Sequence, residues 1–229
     1  MDYEALSQKM DTIFQDATGF DNRLKTGIYP RFLSKKRMES IKDRDPLICR
    51  AAGNLSVGFY VNLPEISTGH TSAMIVVTNS LAGRMNMTAE QIYRRSVKNL
   101  LPSCVIIPFN EMLGEIGLLP PEEITENIPV LYVSNKTRSN GAAAILCRDV
   151  KKKIAEILGD PFIVIPSSVH EVLCLACTDQ NAESIISLSD MIRETNEAVV
   201  DPLDQLSNCA WLCKNGRLIP QQACCPEAI

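Results

Sequence analysis

Residues 162–177, FIVIPSSVHEVLCLAC, constrain the fold more than any other stretch of the chain. Phe162, Ile163, Val164 and Ile165 form one apolar run, and Val172, Leu173, Cys174 and Leu175 form another, largely in residue types that favour strands. Between them Pro166 fixes φ and removes a backbone donor, while Ser167 and Ser168 supply short side chains that hydrogen-bond back to a turn. The simplest structure is a β-hairpin. Both runs are continuously apolar rather than alternating, which places the hairpin in the middle of a sheet covered by helices. The stretch also holds His170, one of two histidines in the chain.

The flanking sequence supplies helices and further strands. Tyr3, Leu6, Met10, Ile13, Phe14 and Ala17 recur at helical spacing and predict an amphipathic helix that Thr18-Gly19 stops. Ser34 is placed to cap a second helix reaching about Arg44. Residues 55–63 and 73–78 read as an antiparallel strand pair, with His70 as a polar residue of the intervening turn. Thr88 and Gln91 form a capping box for the helix that follows, and residues 101–107 read as a strand. The acidic segment 110–128 reads as a surface connection, and residues 130–134 as a strand. Residues 142–158 predict the strongest helix, closed by Gly159. A further helix ends near Asn196, whose amide falls on the apolar face and is expected to bond a neighbouring loop. A last strand is expected within residues 209–213. Two strand–helix–strand units, beginning at Val76 and Tyr132, echo each other faintly.

These elements predict an α+β fold: a mixed, mainly antiparallel sheet flanked by helices and centred on the hairpin 162–176. A chain of 229 residues buries about 70% of its unfolded surface in one core. The expected organisation is an N-terminal helix or arm at 1–19, a single domain at 20–213 and a loose tail at 214–229.

Net charge of −4 and a pI near 5.3 argue against a constitutive nucleic-acid binder, which needs a basic face to displace counterions. The basic stretch 31–44 reads as a solvated helix face. The N-terminus has acids where an export signal has basic residues, and no run approaches the ~20 apolar residues that span a bilayer. A cytoplasmic protein is expected, with its nine cysteines as reduced thiols.

Three constellations could carry chemistry. Ser167, Ser168, His170 and Glu171 include the residue types of a nucleophile, base and orienter. On an extended chain, however, Glu171 points away from Ser168 and His170, and there is no nucleophile elbow. The competing reading is a structural turn whose histidine bonds backbone or a carboxylate. Cys174, Cys177, Cys209 and Cys213 could supply four thiolates to zinc, but residues three apart on a strand face opposite sides. Pro166, Ser167, Ser168, His170, Glu171 and Asn196 together outline a possible functional surface. No phosphate-cradling glycine motif is present, so no cofactor is expected.

The ordered set Val77-Thr78-Asn79, Tyr132-Val133-Ser134-Asn135, Gly141-Ala142-Ala143, residues 165–172 (IPSSVHEV), residues 191–196 (MIRETN) and Leu206-Ser207 resembles an uncharacterised bacterial family found in gut Firmicutes, known only as a domain of unknown function. The resemblance spans residues 76–207 and loosely 20–213. Members of that family carry a longer N-terminal segment and tyrosines where this chain has Ala210-Trp211. The resemblance implies the fold and a cytoplasmic location, and it assigns no catalytic residue. The functional expectation is a non-enzymatic domain that binds a protein or peptide partner, with neither nucleic acid nor membrane. The alternatives are a hydrolase using Ser168 or Ser167 with His170, and a zinc protein.

Overall fold

The computed structural model describes residues 17–50, 55–68, 71–118, 130–166, 168–178 and 185–221. The helix expected from Tyr3 onward, as far as Asp16, lies outside them, as do His70 and Ser167. The fold is α+β, as the sequence predicts, but the strands divide between two sheets and every pair is antiparallel.

The first sheet is built on β3 (Ser56–Thr68). β1 (Ile28–Leu33) pairs along one edge of it, and β2 (Ile48–Arg50) and β4 (Thr71–Val76) follow one another along the other. Val57, Phe59 and Val61 of β3 are almost fully buried, and Gly58 and Tyr60 between them are buried too, so this stretch is covered on both faces rather than half-buried. β1 escapes sequence reading because its IYPRFL contains a proline and an arginine. Pro30 is tolerated because β1 is an edge strand.

Helix α1 (Ala17–Thr26) precedes β1 and runs straight through Thr18-Gly19, where the sequence predicts a stop. α2 (Lys35–Ile41) begins where Ser34 accepts the Arg37 N–H, as an N-cap should. α3 (Asn79–Arg84) is capped by Thr78. α4 (Ala89–Leu100) carries the complete Thr88–Gln91 capping box and buries Ile92, Ser96 and Leu100 along one face.

The second sheet has six strands in the order β10-β9-β7-β8-β6-β5. Its middle pair is β7 (Phe162–Ile165) and β8 (Val172–Ala176), so the hairpin is central. β5 (Cys104–Pro108) and β6 (Leu131–Asn135) lie on one side, with α5 (Phe109–Glu115) between them in sequence, at the start of the segment expected to be a loop. β9 (Trp211–Lys214) and β10 (Arg217–Pro220) lie on the other. β10 falls in the expected tail. Asn215 and Gly216 have φ of 51° and 71°, and this two-residue left-handed turn folds the chain back onto β9.

The helix expected at 142–158 is interrupted. Residues Gly141–Leu146 form a fully buried 3-10 turn, Cys147 is extended, and α6 (Arg148–Leu158) starts after it. The break is at Cys147, whose φ of −69° and ψ of 126° are extended, while the Ala142 N–H at the start of the turn bonds the Val169 carbonyl and ties the turn to the hairpin. α6 buries Val150, Ile154 and Leu158 at i, i+4 and i+8, each worth roughly 1.5–3 kcal/mol. It covers the inner face of the second sheet, and α7 (Ile185–Val199) covers the outer face near Ile163, Leu175 and Leu212.

One core joins both sheets, α4, α6 and the 3-10 turn. Phe32 of β1 meets Trp211 of β9 edge to face at 6.3 Å, tying the sheets together. The two echoing units differ: β4 and β5 sit in different sheets, whereas β6 and β7 share one and run parallel on either side of β8. They are not structural repeats.

Candidate functional site

The turn of the central hairpin is the densest polar network described in the second sheet. Ser168 is 6% exposed. Its hydroxyl donates to Glu171 Oε1 at 2.6 Å and accepts the His170 backbone N–H at 2.9 Å, a local serine turn of the kind the PSS sequence favours. Because the backbone around Ser168 is bound in this way, the His170 side chain leaves in another direction. Its Nδ1 accepts the Asn140 N–H at 3.3 Å, so the neutral ring carries its proton on Nε2, which faces Asp204 Oδ2 at 3.3 Å.

Asp204 links this turn to helix α2. Its second oxygen accepts from Arg37 Nη2 at 3.0 Å, and Arg37 Nε and the Ser34 hydroxyl both donate to the Leu203 carbonyl, at 3.4 and 3.0 Å. The Asp204 backbone carbonyl accepts the Val169 N–H at 2.8 Å. A chain of bonds therefore runs from α2 through the 203–205 loop to His170 and the 3-10 turn. Its side chains are partly open to solvent, Arg37 at 30%, Asp204 at 27% and His170 at 36%.

The back of the turn is closed by β6. Ser134 donates to the His170 carbonyl at 2.7 Å, and the buried Asn135 folds the following loop by bonding Ser139 and Thr137. Asn140 then takes the left-handed conformation, φ 53°. Gly141 follows it into the crevice between β6 and the hairpin, where a Cβ would meet the Ser134 hydroxyl, the His170 carbonyl and the Asn135 nitrogen.

Asn196, 2% exposed on α7, donates to the Ser207 carbonyl at 3.2 Å and to Asn208 Oδ1 at 2.8 Å, the loop-anchoring role read from its place on an apolar face. Gln205 donates to the carbonyls of Asn196 and Val200 and pairs by its backbone with Ser168. Pro166 is buried.

The chemistry follows from these partners. Among the described residues, Ser168 and His170 do not form a serine–histidine relay: the Ser168 hydroxyl is committed to Glu171, and both His170 nitrogens are engaged elsewhere. The second reading of the sequence, a turn whose histidine bonds backbone and a carboxylate, describes the arrangement. Sequence reasoning misses Ser34 as a network member, and with it Arg37, Asn140 and Asp204. Only the Asp201-Pro202 turn signal hints at the 203–205 loop, and nothing local ties that loop to a histidine so much earlier in the chain.

The four candidate zinc cysteines do not converge. Cys174 and Cys213 are buried on the inner face, while Cys177 packs with the outer cluster, so Cys174 and Cys177 lie on opposite faces as their spacing predicts. Burial pushes the Cys174 thiol up and Cys213 to about 11, away from the thiolate a metal needs. Cys209 is disulfide-bonded, a correction to the expectation of reduced thiols throughout. Among the described residues no cluster of His, Cys, Asp or Glu is placed to hold a metal ion.

A model of one protein family, described as a family of unknown function, matches residues 3–213. The chain belongs to that family, DUF5688. The match takes in all of the site above and begins within the segment expected to be an arm. No curated protein and no solved structure matches the chain. Membership of DUF5688 assigns no activity, so function rests on the geometry. Among the described residues no helix is long and apolar enough to cross a membrane.

Proposed function

We propose that the chain is a cytoplasmic, non-enzymatic, protein-binding or regulatory domain of bacterial origin, from the gut Firmicutes its motifs resemble, and that it takes an extended segment of a partner protein along the free edge of β5. The observation that carries this reading is that, among the described residues, β5 ends the six-stranded sheet and borders an apolar groove of about 950 Å3 shared with α6.

The pairing of β5 with β6 sets which backbone groups face outward. Phe109 N–H bonds the Val130 carbonyl and Lys136 N–H bonds the Ser103 carbonyl. By antiparallel alternation, residues 103, 105, 107 and 109 therefore face β6, and the N–H and carbonyl of Ile106 face the open edge. The Cys104 N–H donates to the Leu101 carbonyl and Pro108 has no N–H, so the Ile106 N–H is the outward donor of β5. An added strand would pair there and set alternate side chains into the groove, whose floor includes Leu101, Val105 and Ile157 and whose rim carries Asp149, Lys153 and Glu156. Six free thiols among the described residues support a reducing compartment, with the Cys209 disulfide as the exception.

The test is selection of peptides from a displayed random library on wild type and on Ile106→Pro, which removes the outward donor and leaves the ladder to β6 intact. Peptides enriched on wild type, lost on the variant and protecting the Ile106 amide from hydrogen exchange support the reading. Equal binding to a folded Ile106→Pro, or no enrichment on either, overturns it. Lys153→Glu, at the rim, checks the same surface without altering the backbone.

A further inference from the structure

Cys104, the first residue of β5, and Cys147, which separates the 3-10 turn from α6, bring their sulfurs to 3.9 Å. Both are free thiols, 43 residues apart in sequence. Their other neighbours are carbonyls at the end of α4: Cys104 Sγ lies 3.5 Å from the Leu100 oxygen and Cys147 Sγ 3.8 Å from that of Val97. The two differ in access. Cys104 is partly exposed and lines the groove beside β5, whereas Cys147 is 1% exposed.

We propose that Cys104 and Cys147 form a peroxide-reactive dithiol, with Cys104 the attacking thiol and Cys147 the resolving one. The Cys104 thiolate attacks the outer oxygen of a hydroperoxide. The O–O bond breaks, the alcohol or water leaves with a proton, and Cys104 becomes a sulfenic acid. The Cys147 sulfur, giving up its proton, then attacks the Cys104 sulfur; the S–O bond breaks and a second water leaves. Two thiols lose two electrons to the peroxide and one disulfide forms.

The surroundings favour that order. The hydrogen bond between the two sulfurs holds Cys104 below the usual thiol range, and the same bond together with burial holds Cys147 above it. The accessible sulfur is therefore the better thiolate, and the protected one is kept from direct oxidation. A disulfide S–S bond is about 2.05 Å, so closing the pair draws the sulfurs together by about 1.9 Å. It ties the start of β5 to the start of α6, the two walls of the groove. The reaction stands on the thiols alone; if a partner segment binds β5, the same step also resets its site.

The test uses the reduced full-length chain, titrated with hydrogen peroxide, alkylated, digested without reductant and mapped by mass spectrometry. The expected product is a cross-linked peptide pair containing Cys104 and Cys147, forming about tenfold faster than oxidation at the partly exposed Cys49 and Cys177. In Cys147→Ser a dimedone adduct should collect on Cys104, and in Cys104→Ser residue Cys147 should stay alkylatable. Oxidation of Cys49 and Cys177 while both members of the pair remain reduced overturns the proposal, and the wild-type map decides this without any variant. Failure of the peptide selection at β5 leaves this result unaffected.

Discussion

The Ser134 hydroxyl donates to the His170 carbonyl at 2.7 Å, and Gly141 is pressed against that bond with no room for a side chain. Strand β6, the 3-10 turn and the hairpin turn meet at this point. Gly141→Ala should therefore destabilise the fold by about 1–3 kcal/mol, because the nearest atoms include backbone of β6 and the hairpin, which cannot step aside. Urea unfolding monitored by circular dichroism measures it. A loss below about 0.5 kcal/mol, the scale of an ordinary surface substitution, would mean the crevice yields easily.

Asp204 bridges Arg37 and His170 across segments far apart in the chain. The partners are about one-third exposed, so each pair is worth little alone. A double-mutant cycle on Arg37→Met and Asp204→Asn should give a coupling of about 0.2–1 kcal/mol that shrinks in molar salt. Independent, additive effects of the two replacements would remove Asp204 as a link between α2 and the hairpin turn.

Arg31 is 5% exposed on β1, and its Nε is buried without a hydrogen-bond partner among the described residues. Burial pulls its pKa down, and nearby Arg37 pulls the same way. A buried guanidinium that is not fully paired costs more than an apolar side chain of similar length. Arg31→Met should leave stability unchanged or raise it by about 1–3 kcal/mol, as read by urea unfolding. A destabilisation of more than about 1 kcal/mol would show that the guanidinium is held by an attraction outweighing its desolvation.

Tyr60, stacked on Tyr29 at 5.9 Å, is pushed up to about 12, chiefly by burial. Its ordinary value is near 10, and the neutral form is favoured in the fold. The stabilisation is therefore complete below pH 10 and is lost as pH rises from 10 through about 12. Burial also raises Tyr93 and Tyr132, so the absorbance of phenolate should show a late phase, and Tyr60→Phe should remove part of it and move alkaline unfolding upward. If Tyr60→Phe leaves the late phase at full amplitude, Tyr60 is not one of the protected rings.

The parts of the fold legible in the sequence are those that local physics decides. The hairpin of β7 and β8, the Thr88 capping box and Ser34 as a cap rest on chemistry within a few residues, and Asn196 as a loop anchor rests on its place along a helix face. What stays hidden depends on distant partners. β1 reads poorly because Pro30 and Arg31 belong to it only by virtue of β3. The helix expected at 142–158 breaks at the extended Cys147, and the segment before it is seated by Ser134, His170 and Val169 of other elements. At the site, His170 and its neighbours are visible, but Asn140 and Asp204, which bond the two ring nitrogens, come from distant parts of the chain. β10 escapes notice although Asn215-Gly216 is a strong hairpin signal, because the polar residues around it suggest a tail.

The strand order of the second sheet also has a consequence during synthesis. β6 is complete at Asn135, yet its inner neighbour β8 ends only at Ala176. At about 5–20 residues per second, several seconds pass in which Leu131 and Val133 form an unpaired strand edge. A chain interrupted in that interval presents a sticky edge to its neighbours, whereas one interrupted just after Ala176 has already sealed it and, of the described elements, lacks only the outer strands β9 and β10 and helix α7.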